Sequence, residues 1–328
     1  MFAGTSKGVY HLETGEKGKQ VLASRGVREL VSLDCGLFAG TGSGLYRSTN
    51  QGQSWDLLGF EDMEIWQIRE SGERIWVSTQ PAGLYCSDDQ GLTWTGIDTF
   101  NEAPEKARWC IPVEPVLPGR ARALVIDRED PRRMLVGVEV GGIMRTEDGG
   151  ATWEMVLPGD NPDLHMIFQH PTESDVVYAS TGYGRLDGVA EMVEGNAGVL
   201  RSDDFGKTWA YRWQGITPRY SRPMCIDEQG ITVASAPTAF SSYKEDGGAK
   251  AMLFRSEDRG ESWRSLCDES HTPSAANFHG LTTDPNEPGS VYVGTDTGEV
   301  WHVSPDTSSG GKWHQVGAGL PAVLSICA

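Results

Sequence analysis

Two arginines and two histidines stand at equivalent positions of four successive repeats in this 328-residue chain, in the order Arg122, His165, Arg222 and His279. Guanidinium groups bind carboxylates and phosphates through paired N–H donors. Imidazole groups transfer protons near neutral pH. These residue types predict a site where the arginines bind a small anionic or polar molecule and acid–base chemistry transforms it.

The four residues belong to a column of positions that recurs once in every repeat, five residues before the end of an apolar segment. Its members are Glu29, Trp66, Arg122, His165, Arg222, His279 and Val323. Two positions further along, the column is almost entirely apolar and comprises Val31, Ile68, Leu124, Ile167, Met224, Leu281 and Ser325. A polar ring above an apolar plug predicts a channel with a binding site at its mouth.

The members of this polar ring have predicted roles in an enzyme. Arg122 and Arg222 would clamp an anion. His165 and His279 would be catalytic groups that transfer protons, and Glu29 would be an orienting or basic carboxylate.

Two other interpretations of the ring stay open. In the first, the arginines only pair with acids such as Glu29 or Glu139, and the histidines only bond to the backbone. In the second, His165 and His279 bind a divalent metal ion together with a carboxylate, as in catalytic zinc and non-haem iron sites. His271 is a further potential metal ligand.

Aromatic residues and long loops complete the predicted site. Trp66 would form an apolar wall, and Trp109 and Tyr183 would contact substrate from long connections at residues 98–119 and 182–198. Connections longer than about 12 residues without structure of their own are often functional. Other loop residues that could reach a substrate are Arg108, Glu114, Arg185, Asp187, Glu191, Tyr243 and Lys244.

An eight-residue phrase of the form Ser-x-Asp-x-Gly-x-Thr-Trp organises the chain. Clear copies occupy residues 48–55, 87–94, 146–153, 202–209 and 256–263, and a degenerate copy ends at Trp313. A carboxylate and hydroxyls satisfy the backbone of a tight turn, glycine takes a left-handed conformation, and tryptophan fills the gap to the next unit.

This phrase resembles the Asp-box, or BNR repeat, of sialidases, other glycosidases, sortilin-type receptors and a photosystem II assembly factor. The resemblance implies a β-propeller and covers nearly the whole chain. Sialidases are six-bladed, with a Phe-Arg-Ile-Pro phrase and three arginines around the substrate carboxylate. Here the nearest phrase is Ser-Arg-Pro-Met at residues 221–224, and no arginine triad is evident.

A second phrase precedes each Asp-box and consists of apolar residues, Gly-Thr, a turn and Gly-apolar-Tyr. The two phrases together predict seven units of four short strands, A to D. The chain begins on a B strand, and residues 320–328 are predicted to form an A strand. We therefore expect an all-β, seven-bladed propeller closed by its two termini, forming a single domain over residues 1–328.

Composition narrows the range of partners and locations. The chain has 46 acidic and 28 basic residues and a net charge of −18, which argues against nucleic acids and anionic membranes as partners. No apolar run is long enough for a membrane span, and no signal region precedes the first strand, which predicts a cytoplasmic protein. Six scattered cysteines predict reduced, mostly buried thiols.

Three classes of function remain open. The first is an enzyme, a lyase or hydrolase, that acts on a small anionic or polar molecule with or without a divalent metal ion. The second, implied by the Asp-box resemblance, is a glycosidase that uses two of the carboxylates Glu64, Glu114, Glu139 and Asp187. The third is a non-catalytic scaffold that binds a protein partner, similar to the photosystem factor.

Overall fold

Seven four-stranded antiparallel sheets form a ring in the computed structural model. The structure describes residues 1–13, 18–183, 197–238, 248–271, 273–306 and 310–328. The A strands of neighbouring blades pack against one another and surround the central channel. The prediction of an all-β, seven-bladed propeller is confirmed.

Each blade contains one set of strands A to D, numbered here along the chain. Blade 1 contains β1 (Phe2–Thr5), β2 (Gly8–His11), β3 (Lys19–Ala23) and β30 (Val323–Cys327). Blade 2 contains β4 (Glu29–Leu33), β5 (Gly36–Thr41), β6 (Gly44–Ser48) and β7 (Asp56–Gly59). Blade 3 contains β8 (Glu64–Ser71), β9 (Arg74–Gln80), β10 (Gly83–Ser87) and β11 (Thr95–Gly96).

The later blades follow the same order. Blade 4 contains β14 (Ala121–Ile126), β15 (Met134–Val138), β16 (Gly142–Thr146) and β17 (Glu154–Val156). Blade 5 contains β18 (Leu164–Gln169), β19 (Val177–Thr181), β20 (Gly198–Ser202) and β21 (Ala210–Tyr211). Blade 6 contains β22 (Tyr220–Asp227), β23 (Gly230–Ala236), β24 (Met252–Ser256) and β25 (Arg264–Ser265). Blade 7 contains β26 (Phe278–Thr283), β27 (Val291–Thr295), β28 (Val300–Asp306) and β29 (Gly310–Gly317).

The two ends of the chain close the ring in blade 1. The N-terminal strand β1 pairs antiparallel with the C-terminal strand β30, with Phe2 opposite Cys327 and Gly4 opposite Ser325. The predicted closure by the termini is therefore confirmed. This pairing completes the four strands of blade 1 with segments from both ends of the chain.

The Asp-box turns have the geometry that their residue types predict. Asp89 accepts hydrogen bonds from the backbone N–H of Thr93 at 2.8 Å and from its hydroxyl at 2.6 Å. Gln90 and Gly91 both have positive φ angles, 61° and 89°. The ring of Trp94 packs 5.2 Å from Phe60 of the preceding blade. The box thus fixes a turn and joins adjacent blades.

The connection between blades 3 and 4 has structure of its own. It contains the short helix α1 (Asp98–Asn101), a 3₁₀ turn (Pro104–Arg108) and a hairpin of β12 (Cys110–Ile111) and β13 (Leu117–Pro118). A second 3₁₀ turn (Pro158–Asp160) lies between blades 4 and 5. No helix in the described ranges is long and apolar enough to cross a membrane.

All six cysteines are free thiols, as predicted. Cys86, Cys225 and Cys267 are buried, and Cys35, Cys110 and Cys327 are partly buried.

Candidate functional site

Bulges in the A strands determine which side chains reach the channel mouth. In blade 3, Ile65 pairs with Thr79 and Gln67 pairs with Ser78, so Trp66 is an extra residue in the ladder. The same irregularity occurs at Arg122, at His165, between Ser221 and Met224, and at His279. A bulge redirects a side chain away from the regular alternation of the strand.

In blades 1 and 2 the corresponding positions differ by one residue from the predicted column. The backbone N–H of Arg28 donates to the carbonyl of Gly40 at 2.8 Å, while Glu29 is the residue paired with Gly40. In blade 1, Leu324 is the extra residue, because Val323 and Ser325 pair with consecutive residues of β1. The column at the mouth therefore contains Arg28 and Leu324 where the sequence predicted Glu29 and Val323.

A cavity of about 430 Å³ occupies the central channel. Its wall, as far as the structure describes the chain, carries five guanidinium groups and one carboxylate, from Arg28, Arg69, Arg120, Arg122, Arg222 and Glu29. Five predicted site residues line it, namely Glu29, Trp66, Arg122, Arg222 and His279. The structure thus brings most of the predicted ring together around one cavity, in a wall dominated by cationic groups.

The apolar residues of the channel also reflect the bulges. Val31, Met224 and Leu281 line the cavity as predicted. Ile68 and Ile167 instead pack within the hydrophobic core between blades. In blade 5, Met166 and Phe168 line the cavity in place of Ile167, because the extra residue, His165, shifts the alternation of the strand by one.

Glu29 is fixed in the channel wall by two neighbours. One carboxylate oxygen accepts a hydrogen bond from Arg69 at 2.6 Å, and the other accepts the backbone N–H of Ile68. Burial raises the pKa of Glu29 above its ordinary value, although Arg69 opposes the shift. Arg69 also donates to the carbonyl of Leu124 in blade 4 at 3.1 Å. The pair therefore places a partly desolvated carboxyl group at the cavity.

Glu139, just after β15, pairs with two arginines of the mouth. Arg120 binds it through two nitrogens, one of them 2.8 Å from Oε1, and Arg122 donates to Oε2 at 2.8 Å. Burial would raise the pKa of Glu139, but Arg120 and Arg122 outweigh burial and hold it well below its ordinary value. This pairing is the one that the alternative interpretation of Arg122 anticipated.

Trp66 lies among three arginines. The guanidinium carbons of Arg28 and Arg120 are each 4.6 Å from its ring centroid, and that of Arg122 is 5.5 Å away. The side chain is almost completely covered, with 8% of its surface exposed. It lines the cavity, where the sequence predicted an apolar wall, and it also packs against the arginines there.

His279 and Arg222 lie on the blade 6 and blade 7 side of the cavity. Burial, followed by the positive charges of Arg222, Arg122 and Arg28, lowers the pKa of His279 to about 3. The ring is therefore neutral at neutral pH, which suits a hydrogen-bond acceptor, whereas so low a pKa suits neither a general acid nor a general base. The guanidinium group of Arg222 lies 5.2 Å from the ring centroid of Tyr220.

His165 is enclosed between blades 5 and 6 and has no exposed surface. Its Nε2 atom lies 3.3 Å from Asp163 and 3.4 Å from the hydroxyl of Tyr220. Burial lowers its pKa. His165 is not among the residues that line the described cavity.

The two aromatic loop residues lie away from the central cavity. Trp109 is buried in the core shared by blades 3 and 4, and its ring lies 5.4 Å from Phe100. Tyr183 packs 5.6 Å from Tyr220 and lines a separate cavity of about 490 Å³ with Trp213.

The remaining candidates are scattered. Arg108 and Glu114 are exposed, and Glu64 pairs with Arg28 at 3.1 Å. His271 stacks on Trp313 with 4.5 Å between ring centroids. Arg185, Asp187, Glu191, Tyr243 and Lys244 lie outside the described residues.

A metal site that contains both predicted histidines is absent from the clusters found in the described ranges. One cluster joins Glu139, Asp163 and His165, whose potential ligand atoms lie within 4.8 Å of one another. Arg120 and Arg122 already donate to Glu139, and their positive charges oppose a second cation there. The other cluster, Asp284, Glu287 and His302, does not involve the cavity-lining residues.

Sequence reasoning missed three arginines of the wall, Arg28, Arg69 and Arg120. Arg28 and Arg120 each directly precede an A strand. Arg28 lies in the column of bulge residues, and Arg120 lies two residues before it. A search for basic residues at both positions in every repeat would have found them.

The family model described as BNR-Asp box repeat matches residues 200–211 and 253–266. The oligoxyloglucan-reducing end-specific xyloglucanase of Emericella nidulans is 28% identical in an alignment 236 positions long that covers 62% of this chain and 27% of that protein. The chain thus spans less than a third of this relative's length.

Two solved structures share the fold. The GH74 xyloglucanase from Xanthomonas campestris superposes with a TM-score of 0.62 at 16% identity, over 93% of this chain and 46% of that one. YCF48 bound to D1 peptide superposes with a TM-score of 0.54 at 16% identity, over 96% and 86%. Together with the repeat pattern and the closed ring, these similarities identify the chain as a seven-bladed β-propeller built from BNR Asp-box repeats.

Proposed function

We propose that the chain acts on a saccharide as a glycoside hydrolase, with its site in the cavity of the central channel. The observation that carries this proposal is the position of Glu29, a carboxyl group in the cavity wall whose pKa is raised by burial. A raised pKa is what a carboxylic acid needs to protonate a leaving group near neutral pH. The similarity to xyloglucanases supports the same class of reaction.

Glu29 is assigned the role of general acid. Its contacts with Arg69 and with the N–H of Ile68 hold the carboxyl group in one orientation, which acid catalysis requires. A glycosidase also needs a second carboxylate as base or nucleophile. Glu64 is assigned that role, because it pairs with Arg28 beside the cavity and its side chain is 30% exposed.

The other wall residues bind and orient the substrate. Arg122 and Arg222 provide hydrogen-bond donors at the cavity. His279, neutral because of burial and the neighbouring arginines, accepts a hydrogen bond from a sugar hydroxyl. His165 supports Tyr220 and β22 from behind and does not contact the substrate.

Hydrolysis assays on the purified chain test this proposal. The substrates are xyloglucan oligosaccharides and oligosaccharides that contain sugar acids, and reducing ends are measured over time. Glu29→Gln should lower turnover on the order of 100-fold or more without unfolding the protein. Glu73→Gln, a change at an exposed residue of blade 3, serves as the control.

Full activity in Glu29→Gln would remove the general-acid assignment. Absence of turnover on every saccharide, with a folded wild-type protein, would contradict the hydrolase proposal. Tight binding of a protein partner in that case would favour the alternative of a non-catalytic scaffold.

A further inference from the structure

Trp66 and the arginines packed on it come from three consecutive blades and meet at one place. Arg28 precedes the A strand of blade 2, Trp66 lies in that of blade 3, and Arg120 precedes that of blade 4. The two guanidinium groups lie at equal distances of 4.6 Å from the indole centroid. A cation close to an indole ring is attracted by its electrons. Trp66 therefore stabilises two guanidinium groups close together, although their positive charges repel each other.

Carboxylates fix these arginines without using all their donors. Arg28 pairs with Glu64 at 3.1 Å, and Arg120 and Arg122 share Glu139. A guanidinium group has five N–H donors, and each of these contacts uses only one or two of them. All three arginines line the cavity, so donors remain that a bound molecule can use.

The cavity is electrostatically positive even though the chain has a net charge of −18. Burial, with Arg120 and Arg222 acting in the same direction, lowers the pKa of Arg122. The low pKa of His279 has the same origin, in burial and three arginines. Burial is the largest cause of both shifts and disfavours a charge of either sign, while the arginines add repulsion of positive charge. Only this second contribution favours a bound anion, which would offset the charge of the arginines.

We infer that the substrate carries an oxyanion and that Arg28, Arg120 and Arg122, held on Trp66, bind it at the channel mouth. For a saccharide substrate, which rests on the function proposed above, the oxyanion is the carboxylate of a sugar acid. Arginine binds carboxylates and phosphates through paired, charge-assisted hydrogen bonds. Trp66 is a positioning residue that acts through the arginines.

Calorimetric titration of the unmodified protein tests the inference with three probes: glucuronate, glucose and inorganic phosphate. Wild-type protein should bind glucuronate at least tenfold more tightly than glucose, and the difference should shrink as salt is added. Trp66→Leu and Arg28→Gln should each weaken glucuronate binding roughly tenfold and weaken glucose binding by a smaller factor. Arg132→Ala, which removes an exposed arginine from blade 4, should bind like wild type.

Arg28→Gln covers the case in which Trp66→Leu fails to fold, because the Arg28 side chain is 29% exposed. Phosphate binding that equals or exceeds glucuronate binding, and that Arg28→Gln also weakens, would support the oxyanion site and assign a phosphorylated substrate. Equal affinity for glucuronate and glucose would overturn the inference. Hydrolysis of neutral oligosaccharides alongside that result would leave the hydrolase proposal intact, so the two can fail separately.

Discussion

The Nδ1 atom of His165 lies 2.5 Å from the carbonyl oxygen of Ser221 in the neighbouring blade. A carbonyl can only accept, so Nδ1 carries the proton and Nε2 faces Asp163 and the hydroxyl of Tyr220. The imidazole therefore joins blades 5 and 6 next to the site. This arrangement favours a structural role over the proton-transfer role that the sequence predicted.

Replacement of this histidine by alanine should destabilise the propeller. His165→Ala leaves a cavity and removes the donor to the Ser221 carbonyl, which together should cost about 2–4 kcal/mol in the free energy of unfolding. Urea denaturation measures the loss, and His314→Ala at an exposed position is the control. A variant with wild-type stability and no activity would instead restore the catalytic role.

The pairing of Glu139 with two arginines predicts a large loss of stability when the carboxylate is removed. Glu139→Ala leaves Arg120 and Arg122 buried without their shared acid, and losing one partner of a buried ion pair costs about 3–5 kcal/mol. Asp130→Ala, which breaks an ion pair with the largely exposed Arg132, should cost much less, because water and salt screen an exposed pair. Denaturation measures the free energy of unfolding of both variants. Equal losses would contradict the expectation that a buried ion pair contributes more to stability than an exposed one.

The low pKa of His279 predicts that the protein loses stability as the pH falls. The folded state has a pKa of about 3 and the ordinary value is 6.5, so between these values the unfolded chain binds a proton that the folded chain does not. The free energy of unfolding therefore decreases from pH 6.5 towards pH 3. This slope is set by the difference in bound protons between the unfolded and folded states, and in His279→Gln that difference should be smaller by up to one proton. Denaturation experiments between pH 4 and 6.5 measure the change.

Two other titratable groups, His165 and Glu29, also contribute to the pH dependence of stability and remain in the His279→Gln variant. The pKa of His165 is also lowered by burial, so it contributes a slope of the same sign. Glu29, whose pKa is raised by burial, contributes one of opposite sign just above its ordinary value. An unchanged slope in His279→Gln would show that the pKa of His279 is not lowered in the folded protein.

Repetition in the sequence is the reason that the fold could be predicted. Each Asp-box fixes a turn by local hydrogen bonds, as at Asp89, so its spacing alone indicates the blades. The first residues and the last segment supply the missing strands of one blade, which predicts the closure. These features depend on contacts between residues that are close in the sequence, or on contacts that recur from blade to blade.

The site could be predicted only in part, because the bulges add one residue that a regular alternation does not reveal. The alignment from the strand ends found Trp66 and Arg122 but chose Glu29 where Arg28 stands at the mouth. Glu139, the partner of Arg122, immediately follows β15 of the same blade. Ser221, whose carbonyl accepts the hydrogen bond from His165, lies in the next blade. Trp109, in a long connection, fills the core between blades. The cytoplasmic location stays a prediction.

Metal analysis addresses the interpretation in which histidines hold a divalent ion. Arg120 and Arg122 donate to the same carboxylate that a metal at Glu139, Asp163 and His165 would need. We therefore expect less than one equivalent of any transition metal by mass spectrometry on protein purified without chelator or affinity-tag metal. Stoichiometric metal that is lost in a His165→Ala, His279→Ala double variant would contradict this expectation.

Binding of an anion at the mouth should be coupled to uptake of a proton. Apart from burial, Arg222, Arg122 and Arg28 keep the pKa of His279 low. A bound carboxylate offsets their charge, so the pKa of His279 rises in the complex, and at acidic pH the ring binds a proton in a larger fraction of molecules than in the free protein. Titration of glucuronate in two buffers with different ionisation enthalpies measures this uptake. It should fall to near zero in His279→Gln while binding persists, and equal uptake in both proteins would assign the proton to another group, such as Glu29.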